Sequence, residues 1–276
     1  MLHPISISAP ALGLHPTELP FCHAYNKDIQ GIQSFFNKKG LVYTDRTIVN
    51  LDASTQKRVK TFGRLYADVK KLVDHKLPGT ELDDETLTLS AQYEHCIKNN
   101  IRPDLAICFI NDEVGHGIFA LSPIGANHLI GEYTGVVYHT SLLLKGGYYL
   151  AAMEKPMQAS HLMHSNTELN IDAETYGNET RFINHVESGR ILTDSLAGGL
   201  TAANCMMRSF WYKGLPRIIL TATRDIKVGE ELRFDYGASY LPAIDYSTET
   251  YWILDGKLTQ MPTERPSKIK KNNLTD

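Results

Sequence analysis

The sequence predicts an α+β chain: a mainly helical N-terminal module over residues 1–103, a strand-rich domain over 104–256 and a polar tail over 257–276. Three observations lead there. Apolar residues before Pro103 recur every three or four positions, the period of a helix with one buried stripe. From Leu105 onward the texture changes to short β-type runs broken by glycine. Regular alternation of strands with helices is missing from the second half, which argues against a doubly wound sheet.

The elements follow in order. Ile29, Ile32, Phe35 and Phe36 keep helical spacing before Gly40, and Val59, Phe62, Tyr66, Val69 and Val73 repeat it in a charged background. A third helix is expected from near Thr80, where the spacing to Asp83 offers a cap, to a stop before Pro103. Stripes of this kind face a core. Strands are expected at Leu105 to Ile110, Ile118 to Leu121, Leu129 to Val137, Ile218 to Thr223 and Glu231 to Tyr236. Met153 to Asn166 has no clear period and reads as an inserted surface element, and the lysines at 268, 270 and 271 read as a frayed terminus.

Composition narrows the function. The chain has 276 residues, 42% hydrophobic, enough to bury a core without staples. Its 28 basic and 31 acidic residues nearly cancel, so no overall positive field draws it to nucleic acid or anionic membrane. Direct nucleic-acid binding and membrane association are therefore not expected. Cys22, Cys96, Cys108 and Cys205 form no C-x-x-C pair, which suggests neither a zinc ribbon nor a disulfide framework and sets the metal expectation at none. A soluble protein of a reducing compartment, cytoplasmic or nuclear, is expected, with signal-less export left open, since no stretch approaches the ~20 apolar residues of a membrane span.

Four segments carry the chemistry. Val114-Gly115-His116-Gly117 precedes a strand, where the glycines serve either a tight turn or close approach of backbone to a ligand. Tyr133 alternates with apolar neighbours in Ile130 to Val136, as a half-buried core tyrosine does. Asn170-Ile171-Asp172-Ala173, Gly177-Asn178 and Arg181-Phe182-Ile183-Asn184-His185 place two hydrogen-bonding side chains at the end of an apolar pair, each needing a partner. The fourth segment is Arg224-Asp225-Ile226 followed by Gly229-Glu230-Glu231-Leu232-Arg233-Phe234-Asp235-Tyr236-Gly237.

In this order, over roughly residues 105 to 240, these segments resemble the SET-domain family of protein-lysine methyltransferases. The resemblance implies a β-rich fold with a carboxy-terminal pseudoknot, S-adenosylmethionine as cofactor, and a protein substrate presenting a lysine, a histone tail among the candidates. It implies that Val114, Gly115, His116, Asn184 and His185 hold the cofactor, with Tyr149 of the inserted segment as a further contact and Tyr148 as its alternative. Tyr236 corresponds to the catalytic tyrosine and Tyr133 to one bordering the lysine channel. Phe234, Tyr251 and Trp252 are expected along that channel, although Tyr251 and Trp252 serve a core equally well.

These residue types suit the reaction. Methyl transfer from a sulfonium is an in-line displacement that needs a neutral amine, aligned and shielded from water. A lysine with a pKa of ~10.4 costs about 4.6 kcal/mol to present neutral at pH 7, and an apolar, aromatic channel lowers that cost by desolvation. Two departures from the family stand out. Val186 and Glu187 follow the Asn-His pair where a serine, a cysteine and a Pro-Asn step are common in the family, and the candidate second asparagine is Asn204, beyond what reads as an inserted mobile loop. The family's cysteine-rich zinc segment after the FDYG tyrosine is missing, and Tyr240, Tyr246, Tyr251 and Trp252 are the aromatics available to close the channel in its place. A catalytically weak scaffold with the same fold is the alternative.

Overall fold

A computed structural model describes residues 16–49, 84–99, 101–139, 149–150, 169–196, 198–212, 215–236 and 249–265. Two α-helices are among them, α1 (Ile29–Lys38) and α2 (Asp84–Lys98). The strands in chain order are β1 (Cys22–Tyr25), β2 (Val42–Tyr43), β3 (Ile48–Val49), β4 (Leu105–Asn111), β5 (Gly115–Ala120), β6 (Leu129–Glu132), β7 (Val136–His139), β8 (Tyr149–Leu150) and β9 (Leu169–Asp172). They continue with β10 (Tyr176–Gly177), β11 (Asn184–His185), β12 (Ile191–Leu192), β13 (Cys205–Tyr212), β14 (Leu215–Ala222), β15 (Arg233–Phe234), β16 (Thr250–Leu254), β17 (Lys257–Met261) and β18 (Thr263–Glu264). Small sheets result: β1-β4-β5, β13-β14-β6 and β3-β7-β9-β8, with four two-stranded pairs between them.

Helix α1 forms as its spacing predicts. Asp28 caps it by accepting from the Gly31 N–H at 2.9 Å, and any side chain on Gly31 would strike that capping carboxylate. Ile32, Phe35 and Phe36 are buried, while Ile29, first of the expected stripe, faces solvent. Their core is the main one of the protein, shared with Ile107, Ile118, Ile171, Ile183, Ile218 and Phe234.

The N-terminal hundred residues are thus helical only in part, and their strands join the sheets of the second half. β1 pairs antiparallel with β4, β2 parallel with β10, and β3 parallel with β7. Such pairings join residues far apart in sequence and leave no local period to read. The expected helix over 59–73 and its neighbour's cap at Thr80 and Asp83 lie outside the described residues. Helix α2 lies on the β13-β14-β6 sheet through Leu89 and Tyr93, which pack on Leu129 and Ile219. The Tyr93 hydroxyl, the Thr47 hydroxyl and Arg217 all donate to the buried carboxylate of Glu132.

Strand β15 is held on both edges, by β11 on one side and by Asn204, the residue before β13, on the other. β15 pairs parallel with β11, and the Val186 N–H extends the pairing to the Phe234 carbonyl at 3.1 Å. On its other edge the Asn204 N–H donates to the Arg233 carbonyl at 3.0 Å, and the Arg233 N–H to the Asn204 side chain at 2.9 Å.

Two expectations are corrected. The chain does not become a polar tail at 257: β17 pairs with β16 along its whole length, and β18 returns to pair with β12. The residues after His185, expected as a mobile insertion, form a small core in which Val186, Leu192 and Ala202 pack on Trp252 and Met261. Arg265 closes it with two donations to the Glu187 carboxylate, at 2.7 and 2.9 Å. The lysines at 268, 270 and 271 and the segment Met153 to Asn166 lie outside the described residues.

Because Phe36 is fully buried in the main core, Phe36→Ala should cost about 3–5 kcal/mol in a single cooperative unfolding transition. Chemical denaturation followed by fluorescence and circular dichroism checks this. A separate early transition that leaves the main one unmoved would show that the N-terminal segment folds apart.

Candidate active site

The turn from β4 to β5 is built by Asn111, whose side chain accepts from the N–H groups of Glu113 and Val114 at 3.0 and 2.7 Å. Gly115 then takes a φ of +78°, and no atom stands within 4 Å of where a Cβ would be. Backbone here is approachable from outside. Gly117 is the opposite case: a Cβ would sit 2.7 Å from the Glu231 carboxylate and 3.2 Å from the Asn184 amide. The two glycines of the motif therefore do different work, one open to a ligand and one packed against the groups that hold Asn184.

Asn184 spends its amide twice, donating to the His116 carbonyl at 3.0 Å and to Glu231 Oε1 at 3.1 Å. Its Oδ1 meets no donor among the described residues. Glu231 is buried completely, and its second oxygen accepts from the Tyr251 N–H at 2.9 Å and lies 2.9 Å from Arg233 Nε. Burial pushes the Glu231 carboxyl above the ordinary carboxylate range, and the Arg233 guanidinium, the Asn184 amide and the Tyr251 N–H pull it back. Arg233, equally buried, also donates to the His185 carbonyl at 2.8 Å. Beside it Asn204 donates to the Glu231 carbonyl at 2.7 Å. Glu230 is paired with Arg224 and accepts from the Lys227 N–H.

His185 is buried, and its Nδ1 accepts the Tyr236 N–H at 3.0 Å, which assigns the ring proton to Nε2. Burial is the main reason its pKa lies below the ordinary histidine value. The Tyr236 hydroxyl donates to the Ile183 carbonyl at 2.5 Å. Its ring lies 4.7 Å from Phe234 and 5.2 Å from His185, centroid to centroid. Tyr133, Phe234 and Tyr236 belong to one packed cluster with Ile183 and Phe182. So Gly115, His116, Asn184, His185, Phe234 and Tyr236 are brought together through β5, β11 and β15, with Val114 in the turn that leads into β5; Tyr133 follows β6 and shares the main core with Phe234 and Tyr236.

The His116 ring sits among His23, Phe35, Phe109 and Phe182, with centroids 5.1, 5.3, 5.4 and 5.9 Å away. Its Nε2 is 3.0 Å from His23 Nδ1. Burial, helped by Lys39 and His23, pushes the His116 pKa down to about 4.

The remaining expected residues fall elsewhere. Trp252, expected at the channel wall, is instead packed in the small core with Leu192 and Met261, a placement set by a strand pair its own neighbours do not announce. Tyr251 packs with Phe119, Leu121 and Ile253, and its hydroxyl bonds to Glu249 and Asn111, its pKa raised to about 12 chiefly by burial. The backbone of Tyr149 lies in β8 opposite Asp172. Tyr148, Gly237, Tyr240 and Tyr246 lie outside the described residues. Glu231 and Arg233 lie in the GEELRFDYG string without a part that the sequence assigns, and Asn111 stands outside the motifs altogether. For the first two a signal existed: opposite charges two apart in a strand share a face and can satisfy each other there.

Comparison with known proteins agrees with the geometry. Residues 115–237 match the family model described as the SET domain, so this part of the chain has the SET-domain fold. Two relatives are the histone-lysine N-methyltransferase MEDEA of Arabidopsis thaliana, 35% identical over 46% of this chain and 16% of its own length, and the histone-lysine N-methyltransferase SUV39H2 of Gallus gallus, 30% identical over 51% of this chain and 32% of its own. The chain thus spans a third or less of either relative. A solved structure of ATXR5 in complex with a methylated histone H3.1 shares the fold at a TM-score of 0.52 and 19% identity, covering 85% of this chain and 94% of that one. No helix among the described residues is long and apolar enough to cross a membrane.

Two outcomes follow. Glu231→Gln leaves Arg233 facing a donor in place of an anion, and should cost about 3–5 kcal/mol of stability by denaturant titration; a loss under 1 kcal/mol would show that the buried pair is not strongly coupled. The folded protein keeps His116 neutral down to about pH 4, while the unfolded chain protonates it near ~6.5. Between those values the unfolded state binds the extra proton, so stability falls as pH drops, and above them the ring contributes no pH dependence. The ring is only half-buried, so solvent screens the size and the direction is what is tested. Urea midpoints at pH 7 and pH 5 should fall less in His116→Phe than in the wild type; equal falls would contradict the placement.

Proposed function

We propose that this chain transfers a methyl group from S-adenosylmethionine to the ε-amine of a lysine in another protein, with histone H3 the first substrate to test. The observation that carries the reading is the fixed relation of Tyr236 to the Asn-His pair. Its backbone is tied to His185 and its phenol to the Ile183 carbonyl, one residue before Asn184.

The residues present fit the cofactor. Backbone at Gly115 is unobstructed, and the Asn184 Oδ1 is left to accept from an ammonium, since its amide is already committed. Val114, Gly115, His116, Asn184 and His185 would hold it, with Tyr149 a further contact. When bound, the cofactor supplies an electrophilic methyl on a sulfonium.

The chain's own part is positioning and exclusion of water. The phenolic proton of Tyr236 is held by Ile183, so the hydroxyl presents lone pairs outward and orients an amine without abstracting its proton. Aromatic walls from Phe234, Tyr236 and Tyr133 disfavour a charged ammonium by desolvation and tolerate a methylated one by cation–π contact. The incoming lysine loses its proton to water before the aromatic surface closes over it. Phe234 lacks the hydroxyl that would fill space beside the amine, which leaves room for more than one methyl.

Recombinant core histones incubated with methyl-labelled cofactor, followed by mass spectrometry, test the reading. Label should appear on lysine; Tyr236→Phe should lower turnover about 10²-fold with cofactor affinity retained, and Asn184→Ala should weaken cofactor binding at least tenfold. No label on histones or on a wider protein panel, with Tyr236→Phe unchanged, would favour a scaffold that keeps the fold without turnover.

A further inference from the structure

The pair Cys22 and Cys108 takes no part in the chemistry proposed above, and its geometry is set by the sheet. The two residues face each other across β1 and β4. The Phe109 N–H donates to the Phe21 carbonyl at 2.8 Å, so the ladder bond joins the residues on either side of them. In an antiparallel ladder this makes Cys22 and Cys108 a non-hydrogen-bonded pair, the type with the closer Cα atoms, about 4.5 Å apart and within the roughly 4.4–6.8 Å span of disulfides. A register irregularity follows Cys22 immediately, and the extra twist of such a bulge can absorb the shortening by about 1 Å that joining two Cβ atoms requires. Both residues carry free thiols.

Their surroundings differ in a useful way. Cys108 has no exposed surface, whereas Cys22 is half-buried and open on one side. The Cys108 thiol lies within hydrogen-bonding reach of the Cys22 sulfur, which lowers the pKa of Cys22 and raises that of Cys108. The accessible member of the pair is thus also the more acidic one, as an attacking cysteine should be, and the hidden member is placed to resolve what it forms.

We propose that Cys22 and Cys108 form a reversible disulfide when the chain meets a hydroperoxide. The Cys22 thiolate attacks one peroxide oxygen, the O–O bond breaks, and after protonation of the leaving oxygen a water departs, leaving a sulfenic acid. Cys108 sulfur then displaces the sulfenic oxygen, which leaves as a second water with the thiol proton, and the S–S bond forms. Two thiols are oxidised and one hydrogen peroxide is reduced to two waters. A dithiol reductant reverses the step by exchange. The bond ties β1 to the strand whose Cys108 lies opposite Gly117, and it adjoins His23, whose ring contacts His116.

The full chain, reduced, then treated with hydrogen peroxide, unfolded in an alkylating agent and digested, reads this out by mass spectrometry. A linked pair of peptides carrying Cys22 and Cys108 should appear, lighter than their sum by two hydrogens, and disappear after dithiothreitol. Cys22→Ser should lose the link completely and Cys96→Ser should retain it. Recovery of Cys108 as an alkylated thiol, or of Cys22 as a sulfinic acid or joined to another cysteine, would overturn the proposal. The readout involves no cofactor or methyl transfer, so it stands or falls separately from the function proposed above.

Discussion

A single buried carboxylate organises the site. Glu231 takes donors from three different stretches of chain: the Asn184 amide, the Arg233 guanidinium and the Tyr251 backbone. Burying such a charge without partners would be prohibitive, so its presence requires all three elements to be in place at once. Gly117 has no side chain because Glu231 and Asn184 occupy that space. The carboxylate therefore fixes Asn184 in the orientation that leaves its oxygen unused, and Arg233 fixes the His185 carbonyl beside it. Preorganisation of this kind is paid for in folding and so costs nothing when a ligand binds.

The second consequence concerns Tyr236. It follows β15 by two residues, and β15 is held on both edges, by β11 and by Asn204. With the strand fixed, the phenol has little freedom, and the Ile183 carbonyl removes the rest. Asn204 lies beyond the residues that follow His185, yet it reaches the same strand because those residues fold into a compact unit with β12, β16 and β17. This hairpin packing anchors the carboxy-terminal side.

Much of the site was legible because the motif strings are local. RFINH and GEELRFDYG each lie within one strand and its flank, so their residues travel together. Helix α1 was legible for the same reason, from four apolar residues within one amphipathic turn pattern. What escaped was set by distant partners. β1 is four residues with a histidine and a cysteine, and nothing in that string announces pairing with β4 eighty residues later on the order of the chain. Trp252 reads as an aromatic near a catalytic tyrosine, and only its contact with Leu192 and Met261 shows a core residue. The hairpin after it is polar on its exposed side, and Met261 alone marks its buried end. Glu231 and Arg233 were hidden by the assumption that charges face water, which fails where two of them satisfy each other.

The most direct measurement is a crystal structure of the full chain with S-adenosylhomocysteine compared with the free protein. The expected result is cofactor lying against Gly115 and Asn184, the phenol of Tyr236 still bonded to Ile183, and backbone at residues 114–116, 183–186 and 233–236 moving by less than about 1 Å, as a preorganised site requires. Cofactor bound elsewhere, or an Asn184 side chain that leaves Glu231 to receive it, would contradict the view that the buried carboxylate sets the site in advance.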